Sequence, residues 1–230
     1  MLDPYRKPHM GVTVKRRTLD LLFSIGGVGL AALLLVIGVV MSSNADFSNK
    51  YVTDQLVEQR ITFKAADALT AEERQAPCLV KFAGQELTTG KQAECYANEF
   101  IGLHVKTSGG GKTYAEIGDV QTDLRAQIAA AQAAGDPAVA DLQKQLATAT
   151  TQRETMFKGE TLRGILLTSY GFSELGNKAA QAATVIYIGA MLLVALSIAG
   201  LVHALVTPKN RAFAAPEPGE VTRLRETVTV

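Results

Sequence analysis

The chain has 230 residues, 47% of them hydrophobic and 20% charged, with a formal net charge of +1. At ~100–200 residues per domain this is room for one domain, or for one small domain plus membrane segments. A near-neutral balance gives no electrostatic footprint for nucleic acid, and two Cys with three His are too few for a Cys/His metal cluster or a disulfide scaffold.

Residues 1–20 form a basic N-terminus, with Arg6, Lys7, Lys15, Arg16 and Arg17 against Asp3 and Asp20. They lead into residues 21–41 (LLFSIGGVGLAALLLVIGVVM), which hold no charge. At about 1.5 Å rise per residue this stretch spans roughly 30 Å, the thickness of a bilayer's hydrocarbon core, and predicts a first transmembrane helix. Ser43-Asn44-Ala45 fits a signal-peptide cleavage site. The stretch is nevertheless far longer than the about 7–15 apolar residues of a signal peptide, so a retained anchor is expected. Gly26, Gly27 and Gly29 within it suit close helix approach in lipid.

Residues 42–178 read as a mainly helical domain. Asn44 and Asp46 are placed to cap a helix carrying Phe47, Tyr51 and Leu56 on one side, so that the membrane helix can continue outward. Ile61-Thr62-Phe63 is the one short β candidate. Leu69-Thr70-Ala71-Glu72-Glu73 reads as a capping box that opens a short helix. Over 89–105, Ala93, Ala97, Phe100, Ile101 and His104 share a helical face, ended by Gly109-Gly110-Gly111. Val120, Leu124, Ile128 and Ala131 then recur at helical spacing, Gly135-Asp136-Pro137 interrupts, and Val139, Leu142, Leu146 and Ala149 resume. Asp136 suits an N-cap and Pro137 a first helical residue, which predicts an αα-hairpin with a thin seam of Leu and Ala.

Residues 179–206 are the second apolar block, whose polar side chains are Gln181, Thr184, Tyr187, Ser197 and His203. They suffice to cross a bilayer with tilt. Ala195/Ala199 and Gly200/Ala204 repeat a small-xxx-small spacing, a second face for close packing. The fold class expected is therefore mainly α: two transmembrane helices flanking a helical extracytoplasmic domain, with one short β element at most. Residues 207–230 pass through Pro216-Glu217-Pro218-Gly219 and end in a β-prone run to Val230. Disorder is the usual fate of such a tail, and docking as an added strand on a cytoplasmic partner is the sharper reading.

Orientation follows from the charges near the span ends. Lys15, Arg16 and Arg17 abut the first span, whereas residues 42–178 carry more acidic than basic side chains. By the positive-inside rule both termini are cytoplasmic and the central domain is periplasmic, in a bacterial inner membrane. The basic triplet is also placed to anchor on anionic lipid. Cys78 and Cys95 both fall in the segment assigned outside, where a pair reads as one bridge, with two buried free thiols as the alternative.

Catalytic chemistry finds no motif. Ser108-Gly109-Gly110-Gly111-Lys112-Thr113 resembles the end of a phosphate loop, but the position that needs the leading glycine is Lys106; a turn is expected. His9, His104 and His203 fall in three compartments and cannot form one metal site. Neither GxSxG nor HExxH occurs.

Phe157-Lys158-Gly159-Glu160-Thr161-Leu162-Arg163-Gly164-Ile165-Leu166-Leu167, followed by Tyr170-Gly171-Phe172, resembles a signature of actinobacterial two-span membrane proteins. Tyr96-Ala97-Asn98-Glu99-Phe100-Ile101-Gly102-Leu103-His104 and Gly111-Lys112-Thr113-Tyr114 resemble two further blocks of that family. The resemblance covers roughly residues 15–206. It is greatest to the mycobacterial branch, which includes a lipid-uptake accessory subunit of an Mce-family ABC transporter. The resemblance implies a non-enzymatic accessory subunit of an inner-membrane lipid transporter, with a permease subunit and membrane lipids as partners. No cofactor and no small-molecule substrate of its own are expected. The alternative is a self-contained envelope protein that self-associates or binds an envelope ligand through its outer domain.

Overall fold

The computed structural model describes residues 15–208, which are mainly helical and contain no β-strand. Helix α1 covers Arg16–Glu58 and α6 covers Val139–Val206, and each holds a window long and apolar enough to cross a membrane. Between them lie α2 (Pro77–Phe82), α3 (Gly90–Cys95), a π-helical segment (Tyr96–Ile101), α4 (Gly102–Ser108) and α5 (Tyr114–Ala134). The chain divides into two compact units, one made of the described residues up to Met41 and from Gln181 onward, the other of Ser42–Ala180.

In the first unit α1 and α6 pair antiparallel. Gly27 lies against Ser197, Gly38 against Tyr187 and Ser24 against Gly200, so numbers rise on one helix as they fall on the other. The buried positions recur every seven residues: Ser24, Ala31 and Gly38 on α1, and Ala183, Ala190, Ser197 and Ala204 on α6. A seven-residue repeat keeps one stripe facing a partner along a left-handed supercoil. Because this stripe is Gly, Ala and Ser, the backbones approach closely and the attraction is van der Waals packing. The large apolar side chains point the other way, with Phe23, Ile25, Val36, Leu192, Leu196 and Leu205 all exposed. Small residues inside and large ones outside is the reverse of a soluble helix pair, and suits a hydrocarbon solvent.

The second unit is built on a core of Val52, Phe63, Leu79, Leu87, Ala93, Ala97, Met156 and Leu166. Several local expectations change here. Asn44 and Asp46 do not start a helix, because α1 runs through them unbroken and its interior N–H groups already have partners. Phe47 and Tyr51 are exposed and stack on each other at 5.9 Å, while Ala45, Val52 and Leu56 are the buried side. The β candidate Ile61–Phe63 makes only an isolated antiparallel bridge, Thr62 to Glu86, flanked by Phe63 N–H to Gln85 O and Leu87 N–H to Ile61 O. With no third strand to join, so short a pairing does not extend into a sheet.

Thr70 and Glu73 do form reciprocal capping bonds, at 2.8 and 3.1 Å, yet only a 3₁₀ turn, Glu73–Gln75, follows. Pro77 disfavours the helical region at the preceding residue, and Ala76 is extended at φ −90°, ψ 105°, so α2 starts afresh with Pro77 in its first turn. The helix expected over 89–105 begins at a capping box of Thr89 and Gln92 but carries the π segment in its middle. Cys78 on α2 is disulfide-bonded to Cys95 at the end of α3, with Cα atoms 6.0 Å apart.

Helix α5 stops at Gly135, whose left-handed backbone (φ 67°) satisfies the last carbonyls. Asp136 Oδ1 then accepts the Ala138 N–H at 2.8 Å just before α6. Leu124 and Ala149 are buried and Val120, Leu142 and Leu146 half-buried. Gln121 is also buried, donating to Thr150 Oγ1 and accepting from Arg153, which adds a polar tie to the expected Leu/Ala contact.

Closing a loop of this size removes unfolded-state entropy. Replacing Cys78 and Cys95 together by Ser is expected to lower stability by about 3 kcal/mol, read from urea unfolding of the full chain in detergent by circular dichroism.

Candidate functional site

The small residues singled out in the two spans divide into two sets. Gly27, Gly200 and Ala204 belong to the α1–α6 seam. A methyl group on Gly27 would collide with Ser197 Oγ and one on Gly200 with Ser24 Oγ, and Ala204 is fully buried. Gly26 and Gly29 have nothing within 4 Å of where a Cβ would lie, and Ala195 and Ala199 are exposed. The second set is thus surface left over after the spans have packed. Gly26 and Gly29 sit three apart on one helix face and make a notch among large exposed neighbours, Leu22 and Leu33.

At one end of this unit His203 Nδ1 and Asp20 Oδ2 are 2.9 Å apart, which ties the last turns of α6 to the first turns of α1. Nothing local in the sequence pairs His203 with Asp20, 183 residues away. Lys15 and Arg16 are exposed and Arg17 half-buried at the start of α1. Cations at a helix N-terminus oppose the macrodipole, so local helix stability does not account for them. His9 and the tail from Lys209 to Val230 lie outside the described residues.

In the second unit the deepest polar group is Glu73, 1% exposed. Its carboxylate accepts from Lys64 Nζ at 2.7 Å and from the Thr70 N–H at 2.8 Å, and His104 Nε2 stands 3.7 Å away. Burial by itself would raise the Glu73 pKa. The Lys64 and Thr70 hydrogen bonds and the charges of Lys64 and His104 outweigh it and hold the carboxyl below its ordinary range. Burial, and then the Glu73 charge, push the nearby Tyr96 phenol up. Phe63, Tyr96, Phe100 and His104 form a ladder of ring contacts beside the cluster, and Lys64 lies over the Phe100 ring. Every oxygen of the carboxylate is engaged, which makes this a structural clamp between the chain before α2 and the π–α4 segment.

Of these features one was open to sequence reasoning and escaped it, and one was not. The small residues at seven-residue spacing, Ser24-Ala31-Gly38 and Ala183-Ala190-Ser197-Ala204, were a readable heptad pattern. Glu73 was visible only as the third residue of a capping box, and nothing local marks it as buried. Among the described residues no group of three His, Cys, Asp or Glu could hold a metal. No protein-family model matches the chain, and no curated protein and no solved structure is similar to it.

A carboxyl whose folded pKa lies below its unfolded value stabilises fully above the unfolded value, 4.5 for Glu73, and loses that contribution as pH falls through the folded one. Stability of the full chain is expected to drop on acidification below that point. Glu73→Gln should cost about 2 kcal/mol at neutral pH and flatten the acid limb, both read from urea unfolding over a pH series.

Proposed function

We propose that the protein is a non-enzymatic accessory subunit of an inner-membrane lipid transporter, docked on a permease through the span surface that its own helix pairing leaves free. The observation that carries the reading is the division of the small residues. Pairing of α1 with α6 uses Gly27, Gly200 and Ala204, yet Gly26, Gly29, Ala195 and Ala199 remain outside the seam. Gly costs about 1 kcal/mol relative to Ala in a helix interior, so two unused glycines are unfavourable unless another helix comes close. Two spans cannot enclose a solute pathway by themselves, which favours a subordinate role. The likeness of residues 157–167 to two-span actinobacterial proteins supplies the transporter class. On this reading both termini are cytoplasmic, residues 42–178 are periplasmic, and Lys15, Arg16 and Arg17 sit against anionic inner-leaflet lipid.

The test is recovery of partners from native membranes. Tagged wild-type chain purified in mild detergent should bring down permease and ATPase subunits, identified by mass spectrometry. Gly29→Leu has open space within the chain and should reduce that recovery several-fold with unchanged thermal unfolding. Gly27→Leu collides with Ser197 and should lower unfolding temperature as well. Recovery of the chain alone, or recovery unaffected by Gly29→Leu, overturns the docking surface.

A further inference from the structure

We propose that a cavity of the second unit lined by Arg163 binds a small zwitterion, with Arg163 holding its oxyanion. The cavity measures about 620 Å³ and opens between the π–α4 segment, the glycine turn before α5, and α6. That volume is in the ~300–1,000 Å³ range of small-molecule sites. Its floor includes the buried Ala76, Val105 and Met156.

Arg163, in the wall, is incompletely bonded. Nη1 reaches Glu160 at 3.4 Å and Nη2 reaches Asn98 Oδ1 at 3.3 Å, both long beside the about 2.7–2.9 Å of a good charge-assisted bond. Nε is buried and has no acceptor, a state that is costly for an N–H group. A planar guanidinium whose two terminal nitrogens make only stretched bonds is suited to a carboxylate or phosphate oxygen.

The other charges fix the class of ligand. Lys106 and Lys112 line the cavity with Arg163, and Glu72 and Glu99 line it with Glu160. An anion alone would meet the carboxylates, and a cation alone would meet the guanidinium and the lysines. A molecule with an oxyanion and an ammonium a few ångströms apart satisfies both.

A further feature marks the same place. The π-helical segment contributes Asn98 and Glu99 to the wall, and such an irregular turn costs helix geometry and recurs at functional sites. Asn98, Glu99, Lys112, Glu160 and Arg163 all lie in the second unit. Docking through the spans uses none of them. The inference therefore stands apart from the proposed function, and departs from the expectation that the chain handles no small molecule.

Titration calorimetry of the full chain in detergent, with O-phosphoethanolamine as probe, tests it. The wild type should bind, and Arg163→Gln should weaken binding about tenfold or more, as expected for loss of a charge-assisted contact. Lys112→Gln, at an exposed side chain, should weaken it several-fold with unchanged thermal unfolding, which separates a site effect from misfolding. Glu99→Gln should weaken O-phosphoethanolamine but strengthen ethyl phosphate, the signature of a zwitterion site. Displacement of the probe by phosphatidylethanolamine in mixed micelles supports the site with a lipid headgroup as ligand. Probe binding that the lipid does not displace supports it with a free zwitterion. Absence of probe binding, or binding unchanged in both Arg163→Gln and Lys112→Gln, overturns the proposal.

Discussion

Two helices in hydrocarbon gain little by burying leucine against each other, because the lipid tails are equally apolar. What remains is contact between backbones, and that needs small side chains. The α1–α6 seam meets this constraint with Gly, Ala and Ser every seventh residue, while Leu, Ile, Val and Phe face outward. Ser24 and Ser197 are both buried in it, and the glycines opposite them leave room for the hydroxyls. The pairing therefore settles which small residues are consumed and which stay available, and the functional reading starts from that remainder.

The second unit solves a different problem. Its short helices α2, α3 and α4 have too few turns to be stable alone, and two cross-links hold them. The Cys78–Cys95 bond joins α2 to α3, and Glu73 gathers Lys64, Thr70 and His104 around one carboxylate. Lys91 adds a peripheral tie, its ammonium over the Tyr170 ring and near Glu174 of α6. Within a frame secured in this way a π segment is tolerated, and it contributes Asn98 and Glu99 to the cavity wall.

The proposed docking and the proposed ligand binding draw on different parts of the chain and rest on different physics. The first depends on the absence of side chains, so that another helix can come close. The second depends on side chains that the fold leaves incompletely bonded. Arg163 shows the contrast well. In sequence it is one cation in an apolar helix with an acidic neighbour three residues away, and only the packing of α4 and α6 removes the acceptor from its Nε.

Much of the architecture was readable from the residues alone. Uncharged runs of bilayer length and the Gly135-Asp136-Pro137 break are local signals, and the backbone obeys them because they need no distant partner. The places where local reading failed have a common cause. Ile61–Phe63 had strand chemistry but no sheet to join, Thr70–Glu73 had a capping box but Pro77 cut its helix short, and Phe47 and Tyr51 had core character but the helix turned them outward. Sequence determined which segments become helices and which are apolar enough for lipid. Tertiary structure alone decided which glycines are used, which carboxylate is buried and where Arg163 lacks a partner, because each depends on residues distant in the chain arriving at one point.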